Sequence, residues 1–178
     1  MNIFLAGIHG VGKTYLAERL PTGSGLLHTS ASGLIKEERA LPGWGADKHV
    51  SDVDENQIAL AKAVRRYNAS GTALLLDGHF VLLDKEGLFV LLGVEVFETL
   101  NLSAVVLIEA QPEVVASRVC QRDGLDWSPK WLAEFAAKER AQAEFVCGRL
   151  LLPMRILTSP KEGDFAAAVS ASMPNRGA

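Results

Sequence analysis

The chain has 178 residues, of which 48% are hydrophobic, and its net charge at pH 7 is −3. A chain of this length is predicted to form a single domain, residues 1–178, without help from metals or disulfides. The acidic balance and the lack of a basic face argue against nucleic acid as a partner. No basic leader or apolar run of spanning length is present, so we expect a cytoplasmic protein with no membrane partner.

Short apolar runs alternate with longer stretches of helical periodicity along the chain. This alternation is typical of βαβ units, which build a parallel sheet covered by helices on both faces. The predicted strands are residues 2–6, 26–29, 73–77, 104–109 and 154–158. The predicted helices are residues 12–20, 33–41, 53–69, 94–100, 113–122, 130–151 and 165–172. The pattern therefore predicts an α/β fold with a five-stranded parallel sheet.

The first predicted strand leads into Gly-Ile-His-Gly-Val-Gly-Lys-Thr at residues 7–14, which is the P-loop pattern. Its glycines let backbone N–H groups wrap closely around a phosphate, and the next helix points its positive end at the same group. We expect Lys13 to be a solvent-facing cation for the β- and γ-phosphates and Thr14 to bind Mg²⁺. The candidate nucleotide-binding residues here are His9, Gly10, Val11, Gly12, Lys13, Thr14 and Tyr15. The pattern predicts ATP and Mg²⁺ as ligands.

The third predicted strand ends in Asp77, which is followed by Gly78 and His79. Ligands of doubly wound sheets bind at the carboxyl ends of the strands, beside the P-loop. A carboxylate there can hold Mg²⁺ through water or orient the attacking oxygen of an acceptor. The alternative for Asp77 is an ordinary Asp-Gly turn at a strand end. His79 fits a substrate contact and a packed, hydrogen-bonded histidine equally well.

Two arginines, Arg118 and Arg122, lie four residues apart near the end of the fifth predicted helix. They share a helix face and repel each other unless something negative lies between them, such as an ATP phosphate. The alternative is a solvated face on which they pair with Glu113 or Asp123. We predict that both arginines face this negative group and that Arg118 binds the nucleotide.

A third candidate, Arg140, lies in the middle of the sixth predicted helix. From there it can reach the same site. The alternative is an i,i+4 pair on the helix surface with Glu144.

The acceptor side is predicted to follow the second strand, where Ser30, Ser32 and Lys36 can receive a phosphate or hydroxyl group. Either serine can also cap the next helix. We predict an acceptor-binding flap over about residues 30–69, with 41–54 as its mobile part, and a short lid over about 121–129. Such flaps keep water away from the transferring phosphate. Residues 173–178 are predicted to be a disordered tail.

In this order, the parts resemble the nucleoside-monophosphate kinase superfamily, most closely the adenylate-kinase-like kinases of archaeal type. The resemblance covers residues 1 to about 158 and rests on the P-loop, Ser-Ala-Ser-Gly-Leu-Ile-Lys at 30–36, Leu-Asp-Gly-His at 76–79, Arg118-x-x-x-Arg122 and Lys-Glu-Arg at 138–140. It implies a P-loop kinase with sheet order 2-3-1-4-5 and a short lid. It also implies that Arg118, Arg122 and Arg140 clamp ATP and the transferring phosphoryl group, and on that basis we predict that all three are catalytic.

The chain departs from these kinases at the acceptor site. Lys36 stands where these kinases have an arginine, and the arginine that they have after the Asp-Gly turn is absent after Asp77–Gly78. An acceptor phosphate therefore has fewer arginine partners here. We predict an ATP-dependent small-molecule kinase with a nucleotide or nucleoside as acceptor. The alternative is a P-loop ATPase or nucleotide switch that acts on a partner protein. The Asn-Lys-x-Asp motif of GTPase switches is absent, and residues 84–87 are predicted to form a hairpin turn.

Overall fold

A computed structural model of the chain describes residues 1–39 and 53–173. Its strands are β1 (Asn2–Ala6), β2 (Leu26–Ser30), β3 (Ala73–Asp77), β4 (Val81–Leu83), β5 (Phe89–Leu91), β6 (Leu102–Glu109) and β7 (Met154–Thr158). Its helices are α1 (Lys13–Ala17), α2 (Ala31–Arg39), α3 (Val53–Ala69), α4 (Val94–Glu98), α5 (Pro112–Asp123), α6 (Pro129–Leu150) and α7 (Glu162–Ser172). Two predicted segments lie outside the described residues. One is the mobile segment 41–54, apart from the first two residues of α3, and the other is the tail after Met173.

Five strands form one parallel sheet in the order β2-β3-β1-β6-β7. With the separate β4–β5 hairpin left out of the count, this is the predicted order 2-3-1-4-5. The α/β class and the five-stranded parallel sheet are therefore confirmed. All five strands point the same way, so the P-loop after β1, Ser30 of β2 and Asp77 of β3 meet at one edge of the sheet.

The sheet is buried on both faces, which explains why β3 and β6 read as continuous apolar runs. Alternate residues of β1 enter different clusters: Phe4 packs with α2, α3 and α4, whereas Leu5 packs with α1, α5 and α7. The long helix α6 contributes to both clusters, with Phe135 near its start and Val146 near its end. Its middle therefore passes the sheet edge where the strands end.

Helix boundaries follow their capping residues. The Ser30 hydroxyl accepts the backbone N–H of Gly33 at 3.0 Å, so α2 begins at Ala31, two residues earlier than predicted. The Ser128 hydroxyl accepts the N–H of Trp131 at 3.2 Å, and α6 begins at Pro129, one residue before its predicted start. No helix among the described residues is both long and apolar enough to span a membrane.

The antiparallel hairpin β4–β5 was not predicted as strands, although its turn was. The Asp84 carbonyl accepts the N–H of Gly87 at 3.1 Å, and the Asp84 side chain accepts the N–H of Leu88 at 2.7 Å. Each hairpin strand has only three residues, which is too short for a clear alternation of apolar and polar positions.

Candidate functional site

A cavity of about 1070 Å³ opens at the carboxyl ends of the sheet strands. The P-loop lines it centrally, the beginning of α2 and part of α3 line one side, and α5 with Ser159 and Pro160 lines the other. The cavity has room for a nucleotide and a second small molecule, since ligand pockets commonly measure about 300–1,000 Å³. This is the edge at which doubly wound sheets bind their ligands.

The P-loop requires glycine at its first position. Gly7 has a φ of 135°, and a Cβ atom added to it would lie 2.3 Å from the carbonyl oxygen of Ile108. Any side chain at this position would therefore clash with the neighbouring strand β6. The turn brings the chain round so that α1 begins at Lys13, with its N-terminal end in the cavity.

Lys13 is buried rather than solvent-facing, which corrects the expectation from the sequence. The residue is 7% exposed, and its side chain donates hydrogen bonds to the carbonyl oxygens of Gly7 and Ile8. Its Nζ also lies 3.5 Å from Oδ1 of Asp77. The loop folds around the lysine because a buried ammonium group must replace its water shell with acceptors. Lys13 therefore contributes to the structure of the loop as well as carrying charge into the cavity.

Asp77 joins the end of β3 to the P-loop. The Thr14 hydroxyl donates to Oδ2 of Asp77 at 3.3 Å, while Lys13 faces the other carboxylate oxygen. A hydroxyl and a carboxylate side by side are the oxygen donors that Mg²⁺ prefers, so this pair fits a magnesium site. Asp77 is also the lone carboxylate among the described residues that line the cavity.

Of the predicted arginines, two line the cavity. Arg118 donates to the carbonyl oxygens of Gly10 and Val11 in the P-loop, both at 3.2 Å. Arg122 lies one turn further along α5 and makes a two-pronged ion pair with its neighbour Asp123, at 2.8 and 2.6 Å. Arg118 is therefore positioned beside the phosphate loop, whereas Arg122 has to leave Asp123 to reach a phosphate.

Arg140 is not among the residues that line the cavity. It donates to Glu144 at 3.0 Å along the surface of α6, and its guanidinium lies 3.5 Å from Glu109. This is the surface pairing that was considered as the alternative. In this conformation the structure does not bring Arg140 together with the other predicted site residues.

The predicted acceptor-side residues all line the cavity with Asp77: Ser30, Ser32, Lys36 and His79. Ser30 is paired in register with Asp77 across β2 and β3. The ring of His79 lies 4.2 Å, centroid to centroid, from the ring of His9 in the P-loop. The sheet edge thus brings residues from distant parts of the sequence to one place.

Sequence reasoning missed Glu139, which is 1% exposed. Its carboxylate accepts backbone N–H groups of Gly7 at 3.2 Å, of Phe80 at 3.0 Å and of Val81 at 2.8 Å. Burial raises its pKa to about 7, against the backbone hydrogen bonds and the Lys13 charge, which favour the ionised form. A charged residue within the apolar pattern of α6 was the signal that could have identified it.

Two polar residues of α3, Asn56 and Gln57, also line the cavity and were not predicted as site residues. Asn56 is buried and accepts a hydrogen bond from Arg39 at 2.9 Å. Gln57 is half-buried. Because a solvated face of a helix also contains such residues, the sequence alone gave no reason to select them.

Of the predicted lid, residues 124–128 are irregular, whereas residues 121–123 form the end of α5 and Pro129 begins α6. Trp127 is half-buried there; its ring packs 4.9 Å from Trp131 and 6.3 Å from His9. The lid therefore already contacts the P-loop through one aromatic side chain.

Several solved structures share this fold at low sequence identity. A gluconokinase from Sinorhizobium meliloti is 15% identical, with a TM-score of 0.53 over 96% of this chain and 90% of its own. A sugar kinase from Janibacter is 15% identical, with a TM-score of 0.56 over 96% and 92%. A protein from Chloroflexus aurantiacus provisionally described as a kinase is 17% identical, with a TM-score of 0.57 over 97% and 98%. The chain has no significant match among curated proteins.

A protein-family model described as "AAA domain" matches residues 6–128. This range includes the P-loop, Asp77 and both arginines that line the cavity. Because this family match covers more than half of the chain, the protein belongs to that AAA domain family. It has the fold of P-loop kinases.

Proposed function

We propose that this protein is an ATP-dependent phosphotransferase that acts on a small molecule. The observation that carries the proposal is the contact of Asp77 with both Lys13 and Thr14, at 3.5 and 3.3 Å, inside a cavity with room for donor and acceptor. Three of the four cations among the described lining residues, Lys13, Arg118 and Arg122, lie on the P-loop side. That distribution suits a triphosphate at one end and a less charged acceptor at the other.

In the proposed reaction, the hydroxyl oxygen of the acceptor forms a bond to the γ-phosphorus of ATP. The bond from that phosphorus to the bridging oxygen of the β-phosphate breaks, and ADP leaves with the electron pair. The hydroxyl proton passes to the carboxylate of Asp77. Lys13 and Arg118 stabilise the negative charge that spreads over the phosphates.

Mg²⁺ belongs to this proposal because Thr14 and Asp77 supply suitable oxygen atoms. When bound, the ion neutralises charge on the β- and γ-phosphates. Thr14 lies in the first turn of α1, so its hydroxyl is held close to the phosphate-binding loop.

The finer assignments are also proposals: a single kinase domain of the adenylate-kinase-like type, a nucleotide or nucleoside acceptor, and a cytoplasmic location. The order of P-loop, acceptor residues, strand-end acid and arginine pair along the chain supports a kinase domain of the adenylate-kinase-like type. Because a gluconokinase and a sugar kinase share the fold, sugars and sugar acids are tested as acceptors alongside nucleotides and nucleosides.

An acceptor screen tests the proposed function. ADP formation from ATP and Mg²⁺ is measured with nucleosides, nucleoside monophosphates, sugars and sugar acids, each against a reaction without acceptor. We expect one chemical class to raise the rate well above the background. A rate that no acceptor changes, but that a partner protein stimulates, would contradict the kinase assignment and favour an ATPase or switch.

A further inference from the structure

The acceptor half of the cavity has an apolar wall. Leu60 of α3, Leu92 after β5 and Phe97 of α4 line it, and all three are buried. Lys36 is the one cation that the described residues place on this side. A charged group pressed against the wall itself would lose its water and gain no polar partner from it. The wall therefore favours an acceptor with an uncharged, largely apolar body.

Gln57 of α3 lines the same cavity as this wall. Gln57 lies three residues before Leu60, so the two side chains are neighbours on one helix face. Its Oε1 atom is buried and accepts no hydrogen bond from the described part of the chain. Its neighbour Asn56, in contrast, is held by Arg39. A buried carbonyl oxygen without a donor is unfavourable, and a rotation of the Gln57 side chain that brings this oxygen to an N–H group of a ligand removes that cost.

We propose that Gln57 determines the specificity of the acceptor site, and that the acceptor is an uncharged ring compound with an N–H donor and a hydroxyl group. A nucleoside has this chemistry. Its ring packs on Leu60 and Phe97, its ring N–H donates to Gln57, and its hydroxyl reaches Asp77. All four residues line the same cavity. The inference rests on the proposed kinase function and narrows its acceptor class.

The test compares nucleosides with analogues in which the ring N–H is methylated, such as uridine and 3-methyluridine, in the full-length protein. The kcat/KM of phosphoryl transfer is measured with wild type and with Gln57→Met, which keeps the length of the side chain but not its carbonyl. Gln111→Met is the matched control, because Gln111 is exposed and does not line the cavity.

In wild type we expect methylation to lower kcat/KM about tenfold or more, the loss of one hydrogen bond to a buried group. In Gln57→Met the two nucleosides should react almost equally, while Gln111→Met behaves like wild type. Equal discrimination by wild type and Gln57→Met would overturn the role of Gln57. The methylation effect in wild type is informative even if Gln57→Met folds poorly.

Two outcomes separate this inference from the function on which it rests. If nucleoside monophosphates or gluconate react more efficiently than every nucleoside, the acceptor class is wrong but the kinase assignment stands. If ATP binds and no acceptor of any class is phosphorylated, the kinase assignment fails as well.

Discussion

The Glu139 carboxylate accepts the backbone N–H of Gly7, the residue at which β1 turns into the P-loop. The same carboxylate accepts the N–H groups of Phe80 and Val81, which follow Asp77 in the chain. One buried side chain of α6 therefore holds together the phosphate loop and the segment that carries the strand-end acid. The lid joins the start of this helix, so α6 links all three parts of the site.

Replacing Glu139 by glutamine should change how stability depends on pH. The folded pKa of about 7 is higher than the ordinary value of 4.5, so the folded protein binds the proton more tightly than the unfolded chain does. This contribution to stability is complete below pH 4.5 and is lost as the pH rises to about 7. The loss is on the order of 3 kcal/mol. Glu139→Gln should lack this dependence.

The measurement is the free energy of unfolding by denaturant at pH values from 4 to 8, for wild type and Glu139→Gln. Other titrating groups contribute to both proteins and cancel in the difference. A difference that stays constant across this range would show that Glu139 has an ordinary pKa in the folded state.

Lys13→Met should reduce phosphoryl transfer by about 10²–10³-fold, because the transition state loses one strong electrostatic donor. Since Lys13 is buried and bonded to the carbonyl oxygens of Gly7 and Ile8, we also expect a loss of stability of about 1–3 kcal/mol. Steady-state kinetics at a temperature where the variant is folded separates the two effects. Lys85→Met at an exposed position is the control, and full activity in folded Lys13→Met would rule out a catalytic lysine.

Asp77→Asn should lower kcat by about 10²-fold or more and leave the Kd for ATP almost unchanged. The carboxylate acts on the metal ion and the acceptor oxygen, which matter most in the transition state. Titration with an ATP analogue gives the Kd, and acceptor-dependent turnover gives kcat. The reverse pattern, a raised Kd with normal kcat, would make Asp77 a structural turn residue.

Much of this architecture follows from the sequence because its signals are local. The apolar runs of β1, β3 and β7 and the helical period of α3 gave the observed boundaries without error. The P-loop identified one end of the site, and the rule for parallel sheets brought Ser30 and Asp77 to it. These predictions need only the order of residues along one element.

The remaining features depend on contacts between distant residues. Glu139 bonds to residues 132 and 59 positions away, and no spacing in the sequence signals such a pair. Lys13 was expected in solvent as a cation on a loop, but the fold supplies acceptors for it. Whether Arg140 turns towards the cavity or pairs with Glu144 depends on the tertiary structure, which the helical pattern does not describe.

The lid, about residues 121–129, should become more protected when a nucleotide binds. Arg122 must exchange Asp123 for a phosphate, and between α5 and α6 only Trp127 packs closely on the core. Hydrogen exchange with and without a non-hydrolysable ATP analogue measures this change. Residues 41–54 should gain protection only when an acceptor is added. Full protection of both segments without ligand would indicate a rigid nucleotide-binding module.

The fate of the γ-phosphate tests the central claim most directly. ATP, Mg²⁺ and the best acceptor from the screen are incubated with the protein, and phosphorus NMR follows the product. We predict one phosphorylated acceptor for each ADP formed, and strongly reduced formation of both with Asp77→Asn. Release of the γ-phosphate only as inorganic phosphate, at the same rate with and without acceptor, would contradict a kinase.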